Sequence, residues 1–229
     1  MPIPPVCVFD VNETLLDLAA LDPHFERIFG DAGVRRLWFS QLLQSALVTS
    51  VLNDYTDFGS IGAVALTMIA SRQGIELSDG DRQTIVGAMR ELPPHRDAQD
   101  GLERLRSAGL RLAALTNSTA EVAEAQITNA GLRDYFEQVL SADTVQRLKP
   151  APEPYRMAAK CLGIDVGGMM LVAAHDWDVA GAMRVGCAAA FVARPGMVPN
   201  PLFETPDIVG IDLMEVAEQI LDREARSSM

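Results

Sequence analysis

Positive charge is scarce in this chain. Lys and Arg number 19 against 31 Asp and Glu, a formal net charge of −12, and no basic patch or stripe runs through it. That excludes a nucleic-acid partner, whose phosphates demand such a stripe. Long apolar runs are also missing. The most apolar stretches, such as SIGAVALTMIA at 60–70, fall short of the ~20 residues a bilayer requires, so no membrane partner is expected. No basic start followed by a long apolar run suggests a secretory signal. Cys7, Cys161 and Cys187 are an odd set without CxxC or other ligand spacing, the pattern of reduced thiols in a cytoplasmic protein. Internal repeats and low-complexity tracts are absent.

What is present is an alternation. Hydrophobic residues make up 48% of the 229 positions, ample for a packed core with or without a smaller insert. Short apolar strand candidates at 6–10, 111–116, 138–141, 169–174, 189–193 and 207–209 are separated by helical patterns at 97–108, 119–131, 152–162, 178–186 and 212–224. This rhythm predicts an α/β fold with a parallel sheet flanked by helices. It breaks between Leu16 and Leu92, where only helical runs appear, at 37–52, 60–74 and 79–92. The expected division is a core of 1–15 and 94–229 and a helical cap of 16–93, with PPHRDAQDG at 93–101 as the return hinge, because Pro-Pro stops the preceding helix. The tail REARSSM is expected to fray.

In open α/β sheets, ligands bind beyond the carboxyl ends of the strands, and several strand candidates end in polar residues. VCVFDVNETL delivers Asp10 and Thr14, LRLAALTNST delivers Thr116, Asn117 and Ser118, and MMLVAAHDWD delivers His175, Asp176 and Asp178. RLKPAPEPY adds Lys149 and Tyr155 from a Pro-rich loop. A carboxylate at a strand end is rigidly mounted. With an ordinary pKa near ~3.9 it is ionised at neutral pH, and a lysine nearby holds it so. Asp10 therefore reads as a nucleophile that splits a displacement into two easier steps, its oxygens positioned by backbone amides and the hydroxyls of Thr14 and Thr116. Plainer roles compete. Asp10 also suits a turn, Thr14, Ser118 and Asp178 suit helix caps, and Tyr155 suits packing on its own helix.

The set FDVNETL, LTNS, LKP and HDWDVAGA, in that order, resembles the haloacid dehalogenase superfamily. With NDYTDF at 53–58, the Lys149 to Tyr155 spacing and the Trp177-Asp178 pair, it is similar to the type II L-2-haloacid dehalogenases. The resemblance implies a Rossmann-like core under a helical cap inserted after the first strand. It also implies hydrolysis of small 2-haloacids through an ester on Asp10, inversion at carbon, and a homodimer. Asp10, Thr14, Lys149 and Asp178 would be catalytic. Asn12, Phe39, Thr116, Asn117, Ser118, Tyr155, His175 and Trp177 would face the substrate.

The chain departs from that family at informative positions. Phosphatases of the superfamily carry a second Asp two residues after the nucleophile, as proton donor and magnesium site. Here Asn12 stands there, and an amide is no general acid. Ala174 occupies the place of another metal ligand, although Asp176 or Asp178 keeps a magnesium-dependent phosphatase open as an alternative. No cofactor is otherwise expected. The dehalogenases place an arginine directly after a cap tryptophan, to hold halide or carboxylate. Here Phe39 follows Trp38, and no Lys or Arg lies between Leu37 and Ser71. Their Ser-Ser-Asn before Trp-Asp is Ala173, Ala174 and His175, which leaves His175 to donate a hydrogen bond, carry charge or assist a water. Loss of activity with retention of the fold is the third possibility.

Overall fold

The computed structural model describes residues 6–227; residues 1–5, assigned above to the core, and the last two residues of the tail lie outside it. Strand β1 (Val6–Phe9) is buried at every position, as consecutive apolar residues covered on both faces must be. It is followed by β2 (Arg111–Thr116), β3 (Gln138–Ser141), β4 (Met169–Ala173), β5 (Ala188–Val192) and β6 (Ile208–Gly210). The six form one parallel sheet in the order β3-β2-β1-β4-β5-β6. Phe9 pairs with Ala114 of β2 on one side and Val172 of β4 on the other. The chain winds outward from β1 in one direction, then returns to begin again at β4. Connections from these two strands therefore diverge, which opens a crevice beyond their carboxyl ends.

Side chains alternate across the sheet with the period of two that a strand dictates. Cys7 and Phe9 enter one apolar layer, whereas Val6 and Val8 enter the other. The first layer is closed by α5 (Ala98–Ser107) and α9 (Leu213–Ser227), and α6 (Ala120–Asn129) adds Ile127 to it. The second is closed by α7 (Pro152–Leu162), through Tyr155, Ala158 and Leu162, and by α8 (Asp176–Arg184), through Val179 and Ala182. Helix α9 continues to Ser227 on the register that buries Leu213, Val216, Ala217 and Ile220. It thereby occupies most of the tail expected to fray.

Between β1 and α5 the chain forms helices only: α1 (Asp22–Phe29), which the sequence pattern did not single out, α2 (Val34–Leu52), α3 (Phe58–Gln73) and α4 (Asp79–Ala88). Helices α2 and α3 pack closely because Gly62 leaves room for Leu42, whose Cδ1 a Cβ there would meet at 3.1 Å, and Trp38 Nε1 donates to the Gly62 carbonyl at 2.9 Å. Where the chain leaves and re-enters the core, the Asp17 amide donates to the Pro93 carbonyl and the His95 amide to the Leu15 carbonyl, both at 2.8 Å. The two crossings are thus held side by side. The far end of the insertion is also tied down, because Tyr55 donates to Asp143 and Arg147 to Asn53. Among the described residues no helix is long and apolar enough to cross a membrane.

Two glycines in helices should respond to alanine with opposite signs. A Cβ on Gly181 of α8 would lie 2.6 Å from Pro150 Cβ and 2.7 Å from the Tyr155 hydroxyl, whereas one on Gly87 of α4 would meet nothing within 4 Å. Gly181→Ala should destabilise the protein by about 1–3 kcal/mol through overpacking. Gly87→Ala should stabilise it by roughly 0.5–1 kcal/mol through helix propensity. Urea denaturation of both variants checks the pair.

Candidate active site

Strand ends bring the polar residues together. Asp10 follows β1 directly, and its amide extends the sheet by donating to the Val172 carbonyl at 3.0 Å. Lys149 arrives from the loop before α7, and its fully buried ammonium makes three hydrogen bonds: to Asp10 Oδ1 at 2.8 Å, Asp178 Oδ2 at 2.6 Å and the Leu115 carbonyl at 2.9 Å. Every N–H of the ammonium is committed. Thr14 donates to Asp10 Oδ2 at 2.7 Å and accepts from the Ala174 amide at 2.9 Å, which locks its hydroxyl as a donor towards Asp10. Arg194 fixes the same turn from below, donating twice to the Thr14 carbonyl while held by Asp97.

Charge is distributed accordingly. Burial opposes ionisation of Asp10, but Lys149 and His175 outweigh it and hold the carboxyl well below the usual carboxylate range. Burial opposes the Lys149 charge as well, and Asp10 and Asp178 reverse that effect and raise its pKa. Burial, together with the charge of Asp10, raises Asp178 against the pull of Lys149 and Tyr155.

Several residues expected to face a substrate are hydrogen-bonded within this machinery. Asn117 is a fastener: its Oδ1 accepts from the Lys149 amide at 2.7 Å and its Nδ2 donates to the Lys149 carbonyl at 3.3 Å. Tyr155 is wholly buried and donates to Asp178 Oδ1 at 2.6 Å. Thr116 accepts from the Ser118 amide and makes no bond to Asp10, so Thr14 alone supplies the expected hydroxyl. The alternative cap roles fail too. Thr119, not Ser118, caps α6, and Asp178 lies inside the first turn of α8, with His175 at the cap position. Asn12 donates to Ser118 Oγ at 3.4 Å and accepts from Gln126 at 2.9 Å. A cavity of about 540 Å³ between the cap helices and α6, lined by Trp38, Leu42, Phe58, Val86 and Met89 among others, reaches the set at Ser118.

A second group surrounds His175. Its ring is stacked on Trp177 with centroids 5.0 Å apart and faces Phe39 at 6.1 Å. Nδ1 lies 3.2 Å from Asp10 Oδ2, and Nε2 lies 3.0 Å from Glu13 Oε2. Burial disfavours its charge, yet the hydrogen bonds and charges of Asp10 and Glu13 push its pKa up to about 10. Behind Glu13 stands Arg35, 3.7 Å from Oε1 and bound through Nε to Asp22 at 2.5 Å. Glu13 and Arg35 were missed from the sequence. The available signal was spacing: Arg35 precedes Phe39 by four residues, which puts both on one face of α2.

These donors do not fit magnesium. Lys149 already occupies the space between the Asp10 and Asp178 carboxylates, Asn12 is tied to Gln126 and Ser118, Ala174 has no donor, and the Asp176 carboxylate accepts from Asn200 at 3.0 Å.

The pattern of the haloacid dehalogenase-like hydrolases matches residues 4–186. The chain belongs to that family. It is 31% identical over 212 residues to the (S)-2-haloacid dehalogenase of Pseudomonas sp. strain YL, covering 92% of this chain and 91% of that one. It is 27% identical over 201 residues to haloacetate dehalogenase H-2 of Moraxella sp. strain B, covering 87% and 90%. The L-2-haloacid dehalogenase of Xanthobacter autotrophicus superposes with a TM-score of 0.89 at 27% identity, over 96% of this chain and 98% of that one. A structure of that protein with chloropropionic acid covalently bound gives 0.88 at 26% identity, with the same coverage. The six-stranded parallel sheet and the helical insertion after β1 are the fold of these dehalogenases.

Because the folded pKa of His175 lies above its unfolded value near ~6.5, the stabilisation is fully present below pH ~6.5 and is lost as pH rises through about 10. The melting-temperature advantage of wild type over His175→Gln should therefore shrink steadily across that window. Parallel thermal melts of the two proteins measure it, and a gap that stays constant would contradict a charged His175.

Proposed function

We propose that this protein is a 2-haloacid dehalogenase that acts on small halogenated carboxylic acids with Asp10 as nucleophile. The observation that carries the reading is the Lys149 ammonium, 2.8 Å from an Asp10 carboxylate that is buried at the carboxyl end of the central strand. An Asp10 oxygen attacks the halogen-bearing carbon in line, so a C–O bond forms as the C–halogen bond breaks and the halide leaves with the electron pair. Configuration inverts at that carbon. Water then adds to the Asp10 carbonyl carbon, the bond between that carbon and the substrate oxygen breaks, and the hydroxy acid departs with Asp10 restored. In this scheme Thr14 and Lys149 each hold one Asp10 oxygen, while Asp178 and Tyr155 keep Lys149 in place.

Asp10→Asn keeps the shape of the side chain and removes its charge, so halide release from 2-chloropropionate should fall by on the order of 10⁴-fold or more in a variant that still folds. EDTA should leave the wild-type rate unchanged. With enzyme in excess in ¹⁸O water, a single turnover should place the label in Asp10 and not in the product. A folded Asp10→Asn variant with wild-type rates, or label entering the product directly, would remove Asp10 from the chemistry.

A homodimer through the cap belongs to the same proposal. It is supported by the exposed apolar residues Leu37, Val48, Val51 and Leu52 of α2 and Val64 of α3, more than a solvated helix pair retains without reason. Sedimentation should give twice the chain mass, and Val51→Glu with Leu52→Glu should return it to the monomer mass.

A further inference from the structure

Halide displacement needs no proton from the imidazole beside the nucleophile, because the halide departs as an anion. Yet the chain builds this arrangement at some conformational cost. Glu13 sits at φ 61°, a left-handed conformation that a residue with a Cβ avoids. From there its carboxylate reaches His175 at 3.0 Å, with Arg35 on the other oxygen.

The groups that meet His175 are few. Asp10 and Glu13 come from the turn after β1, the Phe39 ring comes from α2, and the Trp177 ring comes from α8. Asp176, its chain neighbour, is engaged with Asn200, and Lys149 holds the opposite oxygen of Asp10. The two ring nitrogens therefore address one nucleophile and one orienting carboxylate.

We propose that Asp10, His175 and Glu13 act as nucleophile, proton shuttle and orienting carboxylate in the opening of small epoxides to diols, a second activity that rests on the Asp10 nucleophile proposed above. An Asp10 oxygen bonds to a ring carbon, the ring C–O bond breaks, and its electron pair moves to the ring oxygen, which takes the proton from His175 Nδ1. Neutral His175 keeps Nε2–H on Glu13 and presents the Nδ1 lone pair beside the new ester. Water adds to the Asp10 carbonyl carbon and gives one proton to Nδ1. As the tetrahedral centre collapses, the departing diol oxygen takes the other. Epoxide and water become diol, and Asp10 and His175 return to their starting states. Halide displacement instead generates a net proton that must leave a buried site. In this cycle His175 is protonated when an acid is needed and neutral when a base is needed.

The test compares glycidate, read as glycerate formed, with 2-chloropropionate, read as halide released. Wild type should produce glycerate. His175→Gln should lower glycerate formation by on the order of 100-fold or more, at least tenfold beyond its effect on the first-turnover release of halide. Glu13→Gln, at a partly exposed position, serves as the second variant if His175→Gln does not fold. It should lower kcat with little change in KM and move the alkaline limb of the glycerate pH profile to lower pH, because His175 loses one of its two anionic partners. Halide release without glycerate from wild type overturns the proposal and leaves the dehalogenase reading intact, as does an equal fall of both activities in His175→Gln. An unmoved alkaline limb in Glu13→Gln removes Glu13 from its orienting role. Absence of halide release from wild type counts against the dehalogenase reading instead.

Discussion

Placing the Lys149 ammonium between two buried carboxylates is the constraint on which the rest of the site depends. A buried charge stripped of its partner is costly, on the order of 3–5 kcal/mol when one member of such a pair is removed. Each surrounding group keeps the set complete. Asn117 grips the Lys149 backbone on both sides, the Leu115 carbonyl takes the third ammonium N–H, and Tyr155 satisfies the free oxygen of Asp178. The result is an Asp10 carboxylate ionised out of water, a state in which a carboxylate gains nucleophilic strength through the loss of its hydration. Gly181 belongs to the same constraint, since the close approach of α8 to Pro150 and Tyr155 brings Asp178 within reach of Lys149.

A second layer of alternating charge links core to cap. Asp10, His175, Glu13, Arg35 and Asp22 follow one another from the sheet edge into α2 and α1. The cation that faces Asp10 from this side is an imidazolium borne by the core at the start of α8. Arg35 reaches no closer than Glu13. Phe39 and Trp177 flank the imidazole and shield it from water, so its two hydrogen bonds act at a low effective dielectric and retain their strength. Anything that repositions α2 also repositions Phe39 and Arg35, and through them the orientation of His175.

Much of this was legible in the order of residues. The strand and helix periods are local properties, and strands such as 111–116 and 138–141 and the helix at 152–162 appear where the pattern put them. The all-helical insertion was readable because an amphipathic or uniformly apolar run of that length has no strand alternative. Asp10, Thr14, Lys149 and Asp178 were readable as a set because each stands at or just after a strand end or in the loop that returns to one, and a parallel sheet brings all such positions to one edge.

What the chain alone determined was therefore the architecture and the inventory of chemistry at that edge, both of which follow from short-range periodicity and a single topological rule. Only tertiary structure decided direction and partner. Asn117 and Tyr155 carry the same functional groups whether they face a ligand or a neighbour, and rotamer and packing alone turned them towards Lys149 and Asp178. Glu13 needed a left-handed turn to reach His175, and Arg35 needed α2 laid across the core to reach Glu13. Such contacts join residues 22 and 162 positions apart. No local pattern encodes them, because the free energy that selects them arises only when burial removes water from the charges and leaves each the partner that the fold supplies.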